Sequence, residues 1–267
     1  MARVIAVAVP KGGVGKTTTA VNLAASLAAF EKRTLLIDTD TFGACSLALG
    51  FSKEKTQGGL FQVFNFTHSL AQVIHRTDIH FLDFVPTNVY TPQMEERFLK
   101  LAENRTILKN SLRSVLPHYD YIILDCPPML RGLTTNALTS ADSVLVPVKA
   151  GHFSLDAVDR LMKYLDWIHE VANARLALEG VLLTMHEPNT KVSDITEREL
   201  RARFRKHILR TIIPKNTHLV ESSFYGKPGL LFNATSKGTL AYLQLAREIL
   251  DHAEPRSTAQ TQQDTGT

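Results

Sequence analysis

The chemistry-bearing residues begin with a glycine-rich run, Pro10-Lys11-Gly12-Gly13-Val14-Gly15-Lys16-Thr17-Thr18, that directly follows the apolar stretch Val4 to Val9. Strand, glycine turn and helix start in that order bring consecutive backbone N–H groups together on phosphate oxygens. Lys16 is placed to meet the β- and γ-phosphates, and the Thr17 hydroxyl to ligate Mg²⁺. Lys11, Gly12, Gly13, Val14, Gly15, Lys16, Thr17 and Thr18 are therefore read as the binding segment for ATP. Position 10 is Pro rather than the glycine that opens the ordinary G-x-x-x-x-G-K-[ST] pattern, and Lys11 stands before the paired glycines. Acids follow at two strand ends. Leu35-Leu36-Ile37 runs into Asp38 and Asp40, whose side chains leave the same face of an extended chain. Tyr121-Ile122-Ile123-Leu124 runs into Asp125, which has the Walker B form of an acid that holds Mg²⁺ through water.

These residues need a scaffold, and the hydrophobic pattern supplies one. Short β-branched runs at Val4 to Val9, Thr34 to Ile37, His80 to Val85, Tyr121 to Leu124, Ser143 to Val146, Val181 to Thr184 and Leu209 to Ile213 alternate with helical stretches. That alternation predicts an α/β fold, a mostly parallel twisted sheet with helices on both faces, and the glycine-rich run makes it a three-layer P-loop NTPase fold. Thr17 to Phe30 carries Ala20, Leu23, Ala24, Leu27 and Ala28 at spacings of three and four, the apolar face of a helix laid on the sheet. No repeat of 20 to 50 residues is visible, which excludes solenoids and propellers. The expected organisation is one ATPase domain over 1–253 and a disordered polar tail over 254–267, rich in Thr, Gln and Ser.

The run Lys11 to Thr18 resembles the deviant Walker A motif of the ParA/MinD family of ATPases, and nearly the whole chain to Leu250 resembles its short Soj-like ParA type. The resemblance implies that Lys11 reaches across a nucleotide-sandwich dimer to the partner's phosphates, as an arginine finger does elsewhere. It makes Lys11, Lys16 and Asp40 the catalytic set: Asp38-Thr39-Asp40 is similar to switch I, where Asp40 orients the attacking water and Asp38 supports the Mg²⁺ shell. With Thr17 and Asp125, Asp38 completes the expected metal-site residues. Cys126 to Leu138 is similar to switch II, and Pro214 and Asn216 stand where the family lines its adenine pocket. Two departures accompany the match. Thr41-Phe42-Gly43-Ala44 replaces the usual Pro-Gln-Gly-Asn, and Asn189 and His218 replace two arginines often used on DNA.

The charge balance is modestly basic, with 30 Lys and Arg against 26 Asp and Glu. The resemblance implies ATP-dependent, sequence-independent DNA binding and a ParB-like adaptor that stimulates an otherwise slow hydrolysis. Lys191, Lys215, Lys227 and Lys237 are the candidate DNA contacts. The Arg198 to Lys206 run, interleaved with acids, reads as a solvated helix face. The alternative within the family is a positioning or regulatory ATPase for a protein cargo, with weak or no DNA binding. A MinD-like membrane role is disfavoured because the C-terminal segment lacks an amphipathic basic helix. A nitrogenase-like redox role is disfavoured because Cys45 and Cys126 are misplaced for a shared cluster. Both cysteines are expected to be buried free thiols of a cytoplasmic, nucleoid-associated protein.

Overall fold

Period-two alternation along the strands sorts their side chains onto two faces, each with its own apolar core. Val4 and Ala6 face one core and Ile5 and Val7 the other; Ile122 and Leu124 oppose Tyr121 and Ile123 in the same way. The computed structural model describes residues 2–52 and 56–253, without the side chains of 152–154 and 253. The expected tail over 254–267 lies outside the described residues.

The strands are β1 (Arg3–Val7), β2 (Thr34–Asp38), β3 (His75–Arg76), β4 (Leu82–Val85), β5 (Tyr121–Asp125), β6 (Ser143–Lys149) and β7 (Ala177–Thr184). Among them run helices α1 (Lys16–Ala29), α2 (Ala44–Ala48), α3 (Leu60–Phe64), α4 (Pro92–Leu101), α5 (Ile107–Leu112) and α6 (Leu133–Ser140). Then come α7 (His152–Val171), α8 (Lys191–Phe204), α9 (Thr217–Phe224), α10 (Gly229–Phe232) and α11 (Lys237–Ala253). The sheet order is β3-β4-β2-β5-β1-β6-β7, parallel throughout except where β3 pairs antiparallel with β4 at the edge. Residues of α3 to α8 cover one face, and residues of α1, α2, α9 and α11 the other. The expected three-layer arrangement is therefore observed.

Helix α1 forms as its pattern predicts, within a residue of the expected bounds. Leu23 and Leu27 are fully buried, each contributing about 1.5–3 kcal/mol of apolar transfer free energy. The helix also meets α11, where the Thr19 hydroxyl and Tyr242 phenol pair at 3.1 Å.

Two expectations need correction. The two-residue strand β3 was not anticipated, being too short to show a period. Leu209 to Ile213 is not a strand, although it runs beside β7 through isolated bridges at Val181–Ile208 and His186–Pro214. Between those bridges the Glu248 carboxylate accepts the N–H groups of Arg210 at 2.8 Å and Thr211 at 2.9 Å. Leu209 and Ile213 still donate to Val181 and Leu183 of β7, while an acid on α11 takes the intervening amides of Arg210 and Thr211. Burial opposes ionisation of Glu248, but the amides, the Thr211 hydroxyl and the Arg210 charge outweigh it and hold its pKa below the usual value. Glu248→Ala should cost about 2 kcal/mol, the scale of hydrogen bonds to a charged acceptor. That corresponds to a melting temperature lower by about 4–8 °C, measured by thermal denaturation at neutral pH; an unchanged melt would refute the anchoring role.

Candidate active site

Parallel pairing brings the carboxyl ends of β1, β2 and β5 side by side, with Asp38 opposite Asp125 and Val7 on the other side of Asp125. This is the crevice in which open parallel sheets bind ligands. The loop from Ala8 to Gly15 crosses it and ends in α1, whose N-cap, Gly15, offers no side-chain hydrogen bond to the first turn. The amides of that turn are left to face a ligand. Gly13 and Gly15 adopt left-handed backbone, with φ of 70° and 87°, which a side chain disfavours. A Cβ added at Gly12 or Gly13 would meet nothing within 4 Å, so the loop is open on its outer side. Its inner side is fastened, because the Thr184 hydroxyl at the end of β7 donates to the Val14 carbonyl at 2.8 Å.

Lys16 is only 8% exposed, and its ammonium donates to the Lys11 carbonyl at 2.8 Å, spanning the loop. Burial lowers its pKa, opposed by the charges of Asp125 and Asp40. Lys11 stands partly exposed at the outer edge, its pKa lowered by burial and then by Lys149. The Thr17 hydroxyl donates to Asp125 Oδ2 at 2.7 Å, as a Mg²⁺-ligating hydroxyl beside its acid would.

Both strand-end acids are completely buried. Asp38 accepts the amides of Asp40 and Cys45, each at 3.0 Å. Burial and then the neighbouring Asp125 nevertheless raise its pKa well above the usual carboxylate range. Burial likewise raises Asp125 to about 6, against the hydrogen bonds of Thr17 and Cys45. One oxygen of Asp125, Oδ1, is buried and accepts no hydrogen bond. Two crowded carboxylates with an orphaned oxygen fit a divalent cation. Asp40 sits at the mouth, where burial raises its pKa, the Phe42 amide and Lys16 lower it, and Glu95 raises it. The Phe42 amide donates to its Oδ1 at 3.2 Å.

The base-pocket candidates reach the same loop by a chain of contacts. Met185, in left-handed backbone with φ of 49°, lies 3.5 Å from the Cβ position of Gly15, and the adjoining His186 bridges to Pro214. Asn216 caps α9, its Oδ1 accepting from the Leu219 amide at 3.3 Å, so its side-chain NH₂ is the group left to offer.

The DNA candidates are less gathered. Lys191 opens α8, Lys237 opens α11, Lys227 lies between α9 and α10, and all three are exposed. Lys215 is paired with Glu187 at 3.0 Å. Along α8 the reading of a solvated face agrees with the geometry: Arg201 pairs with Glu197 at 2.7 Å, and Arg203 with Asp159 at 2.9 Å. Sequence reasoning missed Thr184, Glu95 and the role of Cys45. Glu95 accepts from the Thr41 hydroxyl at 2.8 Å, and the Cys45 thiol donates to Asp125 Oδ2 at 3.3 Å. No spacing rule links these residues, since each arrives from a separate element.

An open amide cradle beside a cation-demanding acid pair defines a P-loop nucleoside triphosphatase. The AAA_31 family, described as an AAA domain, matches residues 2–178. The chain is 38% identical over 258 residues to the chromosome partitioning protein ParA of Myxococcus xanthus, covering 96% of this chain and 90% of that protein. It is 39% identical to the chromosome-partitioning ATPase Soj of Thermus thermophilus, over 93% of this chain and 95% of that one. Among solved structures, a cobyrinic acid a,c-diamide synthase from Mycobacterium smegmatis with bound ATP analogue and magnesium matches with a TM-score of 0.80. Its identity is 29%, covering 94% of this chain and 96% of that one. MinD from Pyrococcus horikoshii, complexed with Mg-ADP, shares the fold at 24% identity and a TM-score of 0.81, covering 95% of this chain and 98% of that one.

The chain belongs to this family as a Soj-like ParA member. It is an ATPase whose cofactors are ATP and Mg²⁺.

The raised Asp125 has a consequence for stability. With an ordinary value of 3.8 and a folded value of about 6, the acid binds more protons folded than unfolded between those limits. The ligand-free protein should lose stability as pH rises through that window. Asp125→Asn should flatten that part of the pH profile and raise the neutral-pH melting temperature by at least about 2 °C, while Mg²⁺-dependent hydrolysis falls. A lower melting temperature with an unchanged pH profile would refute the crowding.

Proposed function

We propose that this chain is an ATP-switched homodimer that binds DNA without sequence preference and partitions chromosome or plasmid DNA. A ParB-like adaptor stimulates its hydrolysis. The observation that carries the reading is the division of labour between the two loop lysines. Lys16 is buried within its own loop, whereas Lys11 is partly exposed, as a lysine that serves a second subunit's phosphate would be. The near full-length similarity to ParA and Soj proteins supports the same reading.

In the proposed cycle the amides of Gly12 to Thr18 and the Lys16 ammonium hold the phosphates. Thr17 and the two buried acids, Asp38 and Asp125, hold Mg²⁺ and its waters. Bound there, Mg²⁺ neutralises charge on the terminal phosphates. Asp40 orients the attacking water at the mouth, and Lys11 completes the partner's site. Pro214 and the Asn216 amide line the adenine pocket. Lys191, Lys227 and Lys237 supply phosphate contacts to DNA, and Lys215 joins them by exchanging Glu187 for a DNA phosphate. The domain responsible is 1–253, and among the described residues no helix is long and apolar enough to cross a membrane.

A second reading, a positioning ATPase for a protein cargo with weak DNA binding, is favoured by the paired state of Lys215, Arg201 and Arg203.

Lys11→Ala should lower adaptor-stimulated hydrolysis on the order of 10³-fold, the scale of a trans-acting cation, while equilibrium ATP binding by the monomer stays within about twofold. Undiminished turnover would remove the shared site. Retention on DNA-cellulose with ATP at low salt, lost as salt rises, is expected for the DNA-binding reading. Failure to bind at low salt would favour the protein-cargo reading.

A further inference from the structure

Cys45 stands in the first turns after the strand-end acids and is drawn into their pocket. Its amide donates to Asp38 Oδ2 at 3.0 Å and its thiol to Asp125 Oδ2 at 3.3 Å, so it bridges the two carboxylates. One ligand atom from each of Asp38, Cys45 and Asp125 lies within 4.8 Å of the others, and all three residues are fully buried. A separate observation points to a cation: Asp125 Oδ1 is buried without a hydrogen-bond partner.

We propose that Asp38, Cys45 and Asp125 form a binding site for a thiophilic divalent cation, Zn²⁺ or Cd²⁺, that shares Asp38 and Asp125 with the Mg²⁺–nucleotide site but differs from it in using sulfur. Zinc bonds of about 2.3 Å to sulfur and 2.0–2.2 Å to oxygen, at a tetrahedral angle, separate the two ligand atoms by about 3.6 Å. The observed 3.3 Å lies close to that span. Mg²⁺ takes oxygen ligands and keeps its waters, so it has no use for the thiol, whereas thiolate selects the softer ions. Binding exchanges a proton for the metal: the Cys45 S–H bond breaks, an S–metal bond forms, and the proton leaves to solvent with no change of oxidation state. Two carboxylates and a thiolate leave the fourth position for water. Cys45 lies in α2, a five-residue helix set between the left-handed glycines Gly43 and Gly50.

The test is a Cd²⁺ titration of the nucleotide-free full chain, followed by the near-ultraviolet sulfur-to-cadmium charge-transfer absorbance. The chain has two cysteines, Cys45 and Cys126, so the band can be assigned by substitution. It should saturate at one Cd²⁺ per chain, bleach on addition of Zn²⁺, survive in Cys126→Ala and vanish in Cys45→Ser. Asp125→Asn should weaken Cd²⁺ binding at least tenfold. Folding of both cysteine variants is verified by the thermal shift that Mg²⁺-ADP produces, with Cys45→Ala as the substitute if Cys45→Ser fails that control. No band in the wild type, or a band that persists without Cys45, overturns the proposal.

Discussion

Two fully buried carboxylates held side by side are the constraint on which the rest of this structure depends. Asp38 and Asp125 face each other because β2 and β5 pair in that register, and both strands are buried along their whole length. Desolvating such charges costs several kcal/mol per ion when nothing compensates. The apolar strand residues supply the opposing term at about 1.5–3 kcal/mol for each large side chain buried. The register is therefore set by the cores, and the acids follow. Their surroundings offset part of the cost through the amides of Asp40 and Cys45 and the Thr17 hydroxyl, but one oxygen of Asp125 is left over. That oxygen, between two crowded acids, is one that a divalent cation would satisfy.

What could be read in the sequence was what is local. The phosphate loop, its helix and the acids at strand ends each occupy a few consecutive residues, and period-two or helical spacing announces them. The pairing of the acids was not local, because β5 inserts between β1 and β2 and only the sheet order reveals that Asp38 meets Asp125. The failed strand at Leu209 to Ile213 has the same cause. Its residues have the right propensity, yet an acid on α11 claims two of its amides. The charge pattern along α8 was readable because its Arg201–Glu197 pair follows helical spacing, whereas the Lys215–Glu187 pair joins two loops.

The loop after Asp40 is held by contacts of its own residues. Thr41 cannot restrict the backbone as proline would, but its hydroxyl is tied to Glu95 on α4. Gly43 takes the left-handed turn that starts α2, where an added Cβ would reach the Thr87 methyl at 3.4 Å. Phe42 projects into solvent, 87% exposed, and takes no part in the core. The Asp40 amide reaches Asp38 and the Phe42 amide reaches Asp40. Backbone groups, which do not depend on side-chain identity, carry the geometry.

The same economy governs how α2 meets the rest of the molecule. At its far end Gly50 packs against Gly226, each in left-handed backbone with φ of 70° and 61°. A Cβ on Gly50 would lie 2.9 Å from the Gly226 carbonyl oxygen, and one on Gly226 would lie 2.7 Å from the Gly50 Cα. No side chain fits between the two loops, so backbone bears directly on backbone. Interiors packed this closely transmit displacement instead of absorbing it. At one end α2 is fastened to Asp38 through the Cys45 amide; at the other it abuts the loop of exposed Phe224, Tyr225 and Lys227. One short helix, α2, thus spans the distance between the buried acids and that surface.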